Sequence, residues 1–217
     1  MKTDLELQND ILASLKWEPV LKSSEIGVSV LDGVVTLTGT VDNYIKKIEA
    51  EIATKKVAGV LGVVDKIVIK HDDSVINSDE QIEKDIMHSL DSNWDIPDHI
   101  ITVESENGWV TLEGEVKWNY QKESVKSGVS RINGVKGITN NIVIVAPEKE
   151  VLEKKSIVEA LARNWAINDK DIHVIVNDDT VTLKGTVATY FEKEETERVV
   201  WKTPGITKVI NELHIHK

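Results

Sequence analysis

Six histidines, His71, His88, His99, His173, His214 and His216, are the residues of this chain best suited to hold a metal or move a proton near neutral pH. None forms the i, i+4 pair that places two imidazoles on one helix face, as a zinc protease requires. His214 and His216 fall on one face of a strand, but two ligands do not close a metal site, and fraying of a C-terminal tail accounts for them. His173 lies between Ile172 and Val174 and is expected to face solvent. The acidic pairs Asp72-Asp73, Asp178-Asp179 and Glu194-Glu195 offer hard oxygen ligands without the Asp-x-Asp-x-Asp-Gly spacing of a calcium loop, so they read as solvated turns and helix faces. The chain has no cysteine, which removes disulfides, thiolate metal sites and a cysteine nucleophile. No nucleophile and base recur together, so no catalytic residue and no metal ligand is assigned, and an enzyme ranks last among the readings.

The remaining chemistry is aromatic. Six tryptophans stand against one phenylalanine. Trp94 and Trp165 each follow a leucine, Leu90 or Leu161, by four residues, and this shared position predicts packing behind a helix; Trp17 lies two places earlier in its own segment. Trp109, Trp118 and Tyr120 occur in the middle of the chain only, and Trp109 has strand parity opposite to Val110 and Leu112. They form a candidate surface for a lipid interface or a protein partner, or else fill contacts between domains. Trp201, beside Val199 and Val200, is a second candidate of the same kind.

What positions these residues is a threefold repeat. The phrase Val-Thr-Leu-x-Gly-x-Val occurs at 35–41, 110–116 and 181–187, and a second glycine follows 20 residues after the first: Gly39 and Gly59, Gly114 and Gly134, Gly185 and Gly205. The copies are offset by 75 and then 71 positions. Such a period is too long for a solenoid, so each copy is expected to close its own core, as domains 1–73, 76–146 and 149–217. Short linkers near residues 71–77 and 146–150 limit how independently they move.

Within a copy, Leu7, Ile11 and Leu15, like Ile82, Ile86 and Leu90, recur every four residues and predict a first helix. Glu153 replaces the first of these in the third copy, which predicts a shorter helix there. Ile26, Val28 and Val30, and likewise Ile172, Val174 and Val176, alternate as in a half-buried strand. Asp32-Gly33 and Asn107-Gly108 favour a tight hairpin turn, whereas Asp178-Asp179 predicts a different one. A second strand follows, whose missing side chain at Gly39, Gly114 or Gly185 admits another stretch of backbone. Then come a polar helix, a left-handed cap at Gly59, Gly134 or Gly205, and a last strand. The fold class is therefore α+β: three tandem α-β-β-α-β domains, each a three-stranded mixed sheet with two helices on one face.

The net charge is −11, made of −3, −6 and −2 over residues 1–75, 76–146 and 147–217. No third is basic, which argues against nucleic acid as a partner. No apolar run reaches the ~20 residues of a transmembrane helix. The first ten residues lack the apolar core of a signal peptide, which makes the cytoplasm the expected compartment, or the periplasm if a leader has been removed.

The run Gly33-Val34-Val35-Thr36-Leu37-x-Gly39-x-Val41, followed by Gly59-Val60-x-x-Val63 and by Asp65, Asn140 or Asn211, resembles the BON domain, named for bacterial osmotically inducible protein Y and nodulation proteins. The resemblance extends over nearly the whole chain in three copies. It implies a non-catalytic, stress- or envelope-associated binding module that contacts phospholipid at a membrane surface or a protein partner. It also implies, as the alternative, a cytoplasmic protein responsive to a potassium ion, no other cofactor being expected; a third reading, argued from exposed apolar patches and not from the resemblance, is a chaperone-like holder of unfolded clients. A negative chain is repelled by an anionic bilayer unless local cations or aromatics prevail, so salt should strengthen such binding.

Overall fold

The structure is a computed structural model, and it describes residues 2–21, 26–70, 78–92, 96, 100–145 and 153–216. The chain builds the same five elements three times. Repeat one has α1 (Asp4–Trp17), β1 (Ile26–Leu31), β2 (Val34–Val41), α2 (Tyr44–Lys55) and β3 (Gly62–Ile69). Repeat two has α3 (Asp79–Asp91), β4 (Ile101–Glu106), β5 (Trp109–Val116), α4 (Asn119–Val129) and a last strand in two pieces, β6 (Gly137–Asn140) and β7 (Val143–Ile144). Repeat three has α5 (Lys154–Ala162), β8 (Ile172–Asn177), β9 (Thr180–Val187), α6 (Tyr190–Val200) and β10 (Lys208–Ile215). The sequence phrase lies on β2, β5 and β9, the central strand of each sheet: β1-β2-β3, β4-β5-β6 and β10-β9-β8. In repeats two and three the first pair is antiparallel and the last strand returns parallel, with Val110 opposite Ile138 and Val181 opposite Val209. A helical crossover is what makes that parallel return geometrically accessible.

The fold is α+β, with three mixed sheets, as the repeat predicts. Contacts group the described residues into two compact units. One lies within Met1–Thr38, Ala50–Lys66 and Ala146–Lys217, the other within Gly39–Glu49 and Ile67–Val145. The third repeat shows how a core forms. Ile157 and Leu161 of α5, Ile172 and Val174 of β8, Val181, Leu183 and Val187 of β9, Val199 and Val200 of α6 and Leu213 of β10 make one buried cluster between two helices and one sheet face. Period four on the helix and period two on the strands bring those side chains together. The stripes Leu7/Ile11/Leu15 and Ile82/Ile86/Leu90 are buried as predicted, and α5 is the shortest first helix, with nine residues.

The two Asp/Asn-Gly hairpins turn with both residues at positive φ, Asp32 at 50° and Gly33 at 78°, Asn107 at 54° and Gly108 at 81°. In the third only Asp178 (51°) is positive, so the turn differs there. Asp179 instead accepts a 2.6 Å hydrogen bond from the Thr207 hydroxyl. The first helix holds each of the other two turns. Asp4 accepts from the amides of Asp32 (2.9 Å) and Gly33 (3.2 Å); Asp79 accepts from those of Asn107 (2.7 Å) and Gly108 (2.8 Å) and from the Ser105 hydroxyl (2.7 Å). The Gly108 amide, the Ser105 hydroxyl and the Asn107 amide together hold the Asp79 carboxyl below the usual carboxylate range. Asp79→Ala strands these donors and should cost about 1–2 kcal/mol, read from urea midpoints. Because the folded value is the lower one, this contribution is present above the ordinary carboxylate pKa and disappears as pH falls through the folded value, so wild type and variant should converge on acidification.

Two sequence expectations are corrected. Gly59 does not cap α2, which ends four residues earlier at Lys55; with φ 105° it is the third residue of a turn closed by the Val60 amide on the Val57 carbonyl (3.3 Å). Gly134 does the same after α4, with Val135 closing on Ile132. This is where a type II turn needs glycine. Trp165 is not packed behind α5 but is 95% exposed, because the chain turns at Asn164, whose side chain accepts from the Ala166 amide, and Ile167 enters the core instead. Leu21 and Ile96, one repeat earlier each, are buried in the same way. Trp94, His71, His99, Asp72-Asp73 and both linkers lie outside the described residues.

Candidate functional site

Repeat three carries a groove of about 570 Å³ between α5 and the end of α6. Ser156, Ala160 and Arg163 form one wall, Val199, Lys202, Thr203 and Pro204 the other, and Asn164 and Trp165 close the end. Two glutamates of α6 are buried, among them Glu195, which sequence reading takes for solvated. Glu195 is buried, accepts two 2.8 Å bonds from the Arg198 guanidinium and one of 2.8 Å from the Asn164 side chain. Burial pushes its carboxyl up, but Arg198 and Asn164 outweigh that and hold it low, so it stays an anion. Glu192 is also buried and joins the turn after α5 to the start of α6, accepting from the amides of Asn168 (2.6 Å) and Ala188 (2.7 Å). Arg163 and Lys202 both line this groove, beside an indole that is almost wholly in water.

The candidate aromatics of repeat two do not form one patch. Trp109 opens β5 and Trp118 follows its end, and an eight-residue strand spans about 23 Å. Trp109 is 61% exposed, yet its ring covers Gly137 on the neighbouring strand, where a Cβ would overlap it. Trp118 is half-buried before α4, its amide bonded to the Gln121 side chain (3.1 Å), and Tyr120 is exposed on the first turn of α4. Trp201 packs against the core of repeat three and donates from Nε1 to Glu197 (3.3 Å), so it is a packing residue and not an open surface. Trp17, by contrast, is 85% exposed at the end of α1.

His214 and His216 are not in a frayed tail. β10 runs to Ile215, and the His216 amide donates to the Val187 carbonyl at 2.8 Å. Both side chains are exposed, as is His173, and among the described residues no three metal-ligating side chains converge. Sequence reading also missed a lysine that recurs at the same place in every repeat. Lys47, Lys122 and Lys193 each donate from Nζ to a last-strand carbonyl: Ile67 (2.8 Å), Ile142 (2.6 Å) and Leu213 (2.6 Å). Their spacing of 75 and 71 was the available signal.

Residues 3–71, 78–146 and 154–217 each match the BON domain family. The chain belongs to the BON domain family. Among curated proteins, this BON protein is 29% identical over 143 residues to osmotically-inducible protein Y of Escherichia coli K12, covering 64% of this chain and 71% of that one. Among solved structures it is similar to CdsD, a structural protein of the type III secretion system of Chlamydia trachomatis. That likeness has 19% identity, 97% and 92% coverage and a TM-score of 0.27; for the C-terminal domain of CdsD it has 18% identity, full coverage of both chains and a TM-score of 0.26. No helix among the described residues is long and apolar enough to cross a membrane. The cytoplasmic expectation rested on the first ten residues alone, and nothing in these similarities supports it.

Proposed function

We propose that this BON protein is a non-enzymatic, stress-associated scaffold of the cell envelope that docks on phospholipid through the groove of repeat three. The observation that carries this reading is Trp165, 95% exposed beside Arg163 and Lys202. An indole gains most at a bilayer interface, where its ring leaves water and its N–H keeps a polar partner, while a guanidinium and an ammonium meet headgroup phosphate. The likeness to a protein named for osmotic induction supports the stress association. The overall charge of −11 opposes approach to an anionic surface, so the groove acts at short range against a long-range repulsion.

Burying roughly half of a tryptophan surface contributes about 2 kcal/mol, or ~30-fold in affinity. Trp165→Ala should therefore weaken sedimentation with phospholipid vesicles by at least about tenfold, while Trp109→Ala, whose ring covers Gly137, should leave binding within about twofold. Raising salt should strengthen wild-type binding to anionic vesicles by screening the net repulsion. Equal binding by wild type and Trp165→Ala would remove the groove from the account.

A further inference from the structure

At Lys55, the last residue of α2, side chains of repeats one and three meet within the first compact unit. Its Nζ lies 2.8 Å from Glu51, one turn back on the same helix, and 3.1 Å from Glu194 of α6, 139 positions away. It also lies 5.9 Å from the ring centroid of Tyr190, at the start of α6. Burial opposes the charge of Lys55, but hydrogen bonding to Glu51 and the attraction of Glu194 outweigh it, so its pKa is raised and it stays a cation. The i, i+4 pair with Glu51 would form in an isolated helix; Glu194 and Tyr190 come from another repeat. The counterparts of Lys55, at offsets of 75 and 71, are Ser130 and Trp201, so the arrangement occurs once.

We propose that Lys55 clamps repeat one to repeat three through Glu194 and Tyr190, and that rising ionic strength loosens this clamp. The Lys55 side chain is 24% exposed and that of Glu194 54%, which leaves the pair open to counterions. The screening length falls from about 10 Å in 0.1 M salt to about 3 Å in 1 M, close to the length of the bond itself. A contact held by apolar burial would not weaken in this way. The clamp would make the arrangement of repeats a reporter of total salt, without selectivity for one cation.

The chain has no cysteine, so a donor and an acceptor dye can be placed on Lys56→Cys and Lys170→Cys, both exposed in the native chain. Energy transfer should fall as NaCl or KCl rises toward about 1 M, equally for the two salts, and should not change in sucrose of matched osmolality. Lys55→Glu should show low transfer already in dilute buffer and lose at least about half of the salt response. Glu194→Gln, a milder change at a more exposed position, should act in the same direction if Lys55→Glu disturbs folding. Transfer that is flat in salt, a full salt response in both variants, a response to sucrose, or a response to potassium alone would each overturn the clamp.

Discussion

Gly185→Ala is expected to unfold the third repeat. Gly185 has φ 121° in the middle of β9, a backbone conformation that side-chain-bearing residues rarely adopt, and a Cβ there would overlap the carbonyl oxygen of Asp171. The backbone strain alone costs about 1–3 kcal/mol, and the overlap can be relieved only by moving the chain that leads into β8. A repeat of roughly 65 residues has a small core and little stability in reserve. Calorimetry of the variant should show about one third of the unfolding enthalpy missing or displaced well below the rest. Gly128→Ala is the contrasting case. It lies in α4, with no positive φ, and a Cβ would sit 3.7 Å from the Ser89 hydroxyl, an ordinary contact, so it should stabilise by about 0.5–1 kcal/mol.

Leu183→Ala is the second large effect. Leu183 is fully buried on β9, among residues from both helices and all three strands of its repeat. Removing three carbons there costs the transfer of those atoms and leaves a cavity, about 2–5 kcal/mol in all. A small sheet covered on one face has few neighbours that can move in, which favours the upper part of that range. Chemical denaturation followed by far-ultraviolet circular dichroism should resolve an early transition for this repeat. A single transition shifted to lower denaturant would show that the three repeats unfold as one body, and an unshifted midpoint would contradict the prediction.

Much of this fold could be read from residue order because three copies state the same constraint. Val35, Leu37 and Val41, with their two sets of counterparts, alternate inward on the central strand, and at Gly114 and Gly185 the glycine of the phrase marks the place where backbone meets backbone. The aromatics were less legible. Trp165 and Ile167 are two residues apart, and hydrophobicity alone ranks the larger one as core; the Asn164 turn decides the matter by sending the isoleucine inward. The buried carboxylates were equally hidden, since Glu192 and Glu195 in a charged helix look solvated until Asn168, Ala188, Asn164 and Arg198 are placed around them. Lys47, Lys122 and Lys193 were overlooked because their acceptors are backbone carbonyls, which leave no trace in residue type.

The groove reading rests on one side chain that faces water at a considerable hydrophobic cost. A chain that keeps Trp165 and carries phenylalanine in place of Trp17, Trp94, Trp109, Trp118 and Trp201 gives that side chain an emission of its own. Titrated with phospholipid vesicles carrying bromine along their acyl chains, it should shift to the blue and be quenched to saturation, most strongly by bromine near the headgroup. An emission that stays at the water-exposed wavelength, unquenched at every bromine depth while the circular dichroism remains native, would contradict membrane docking through repeat three.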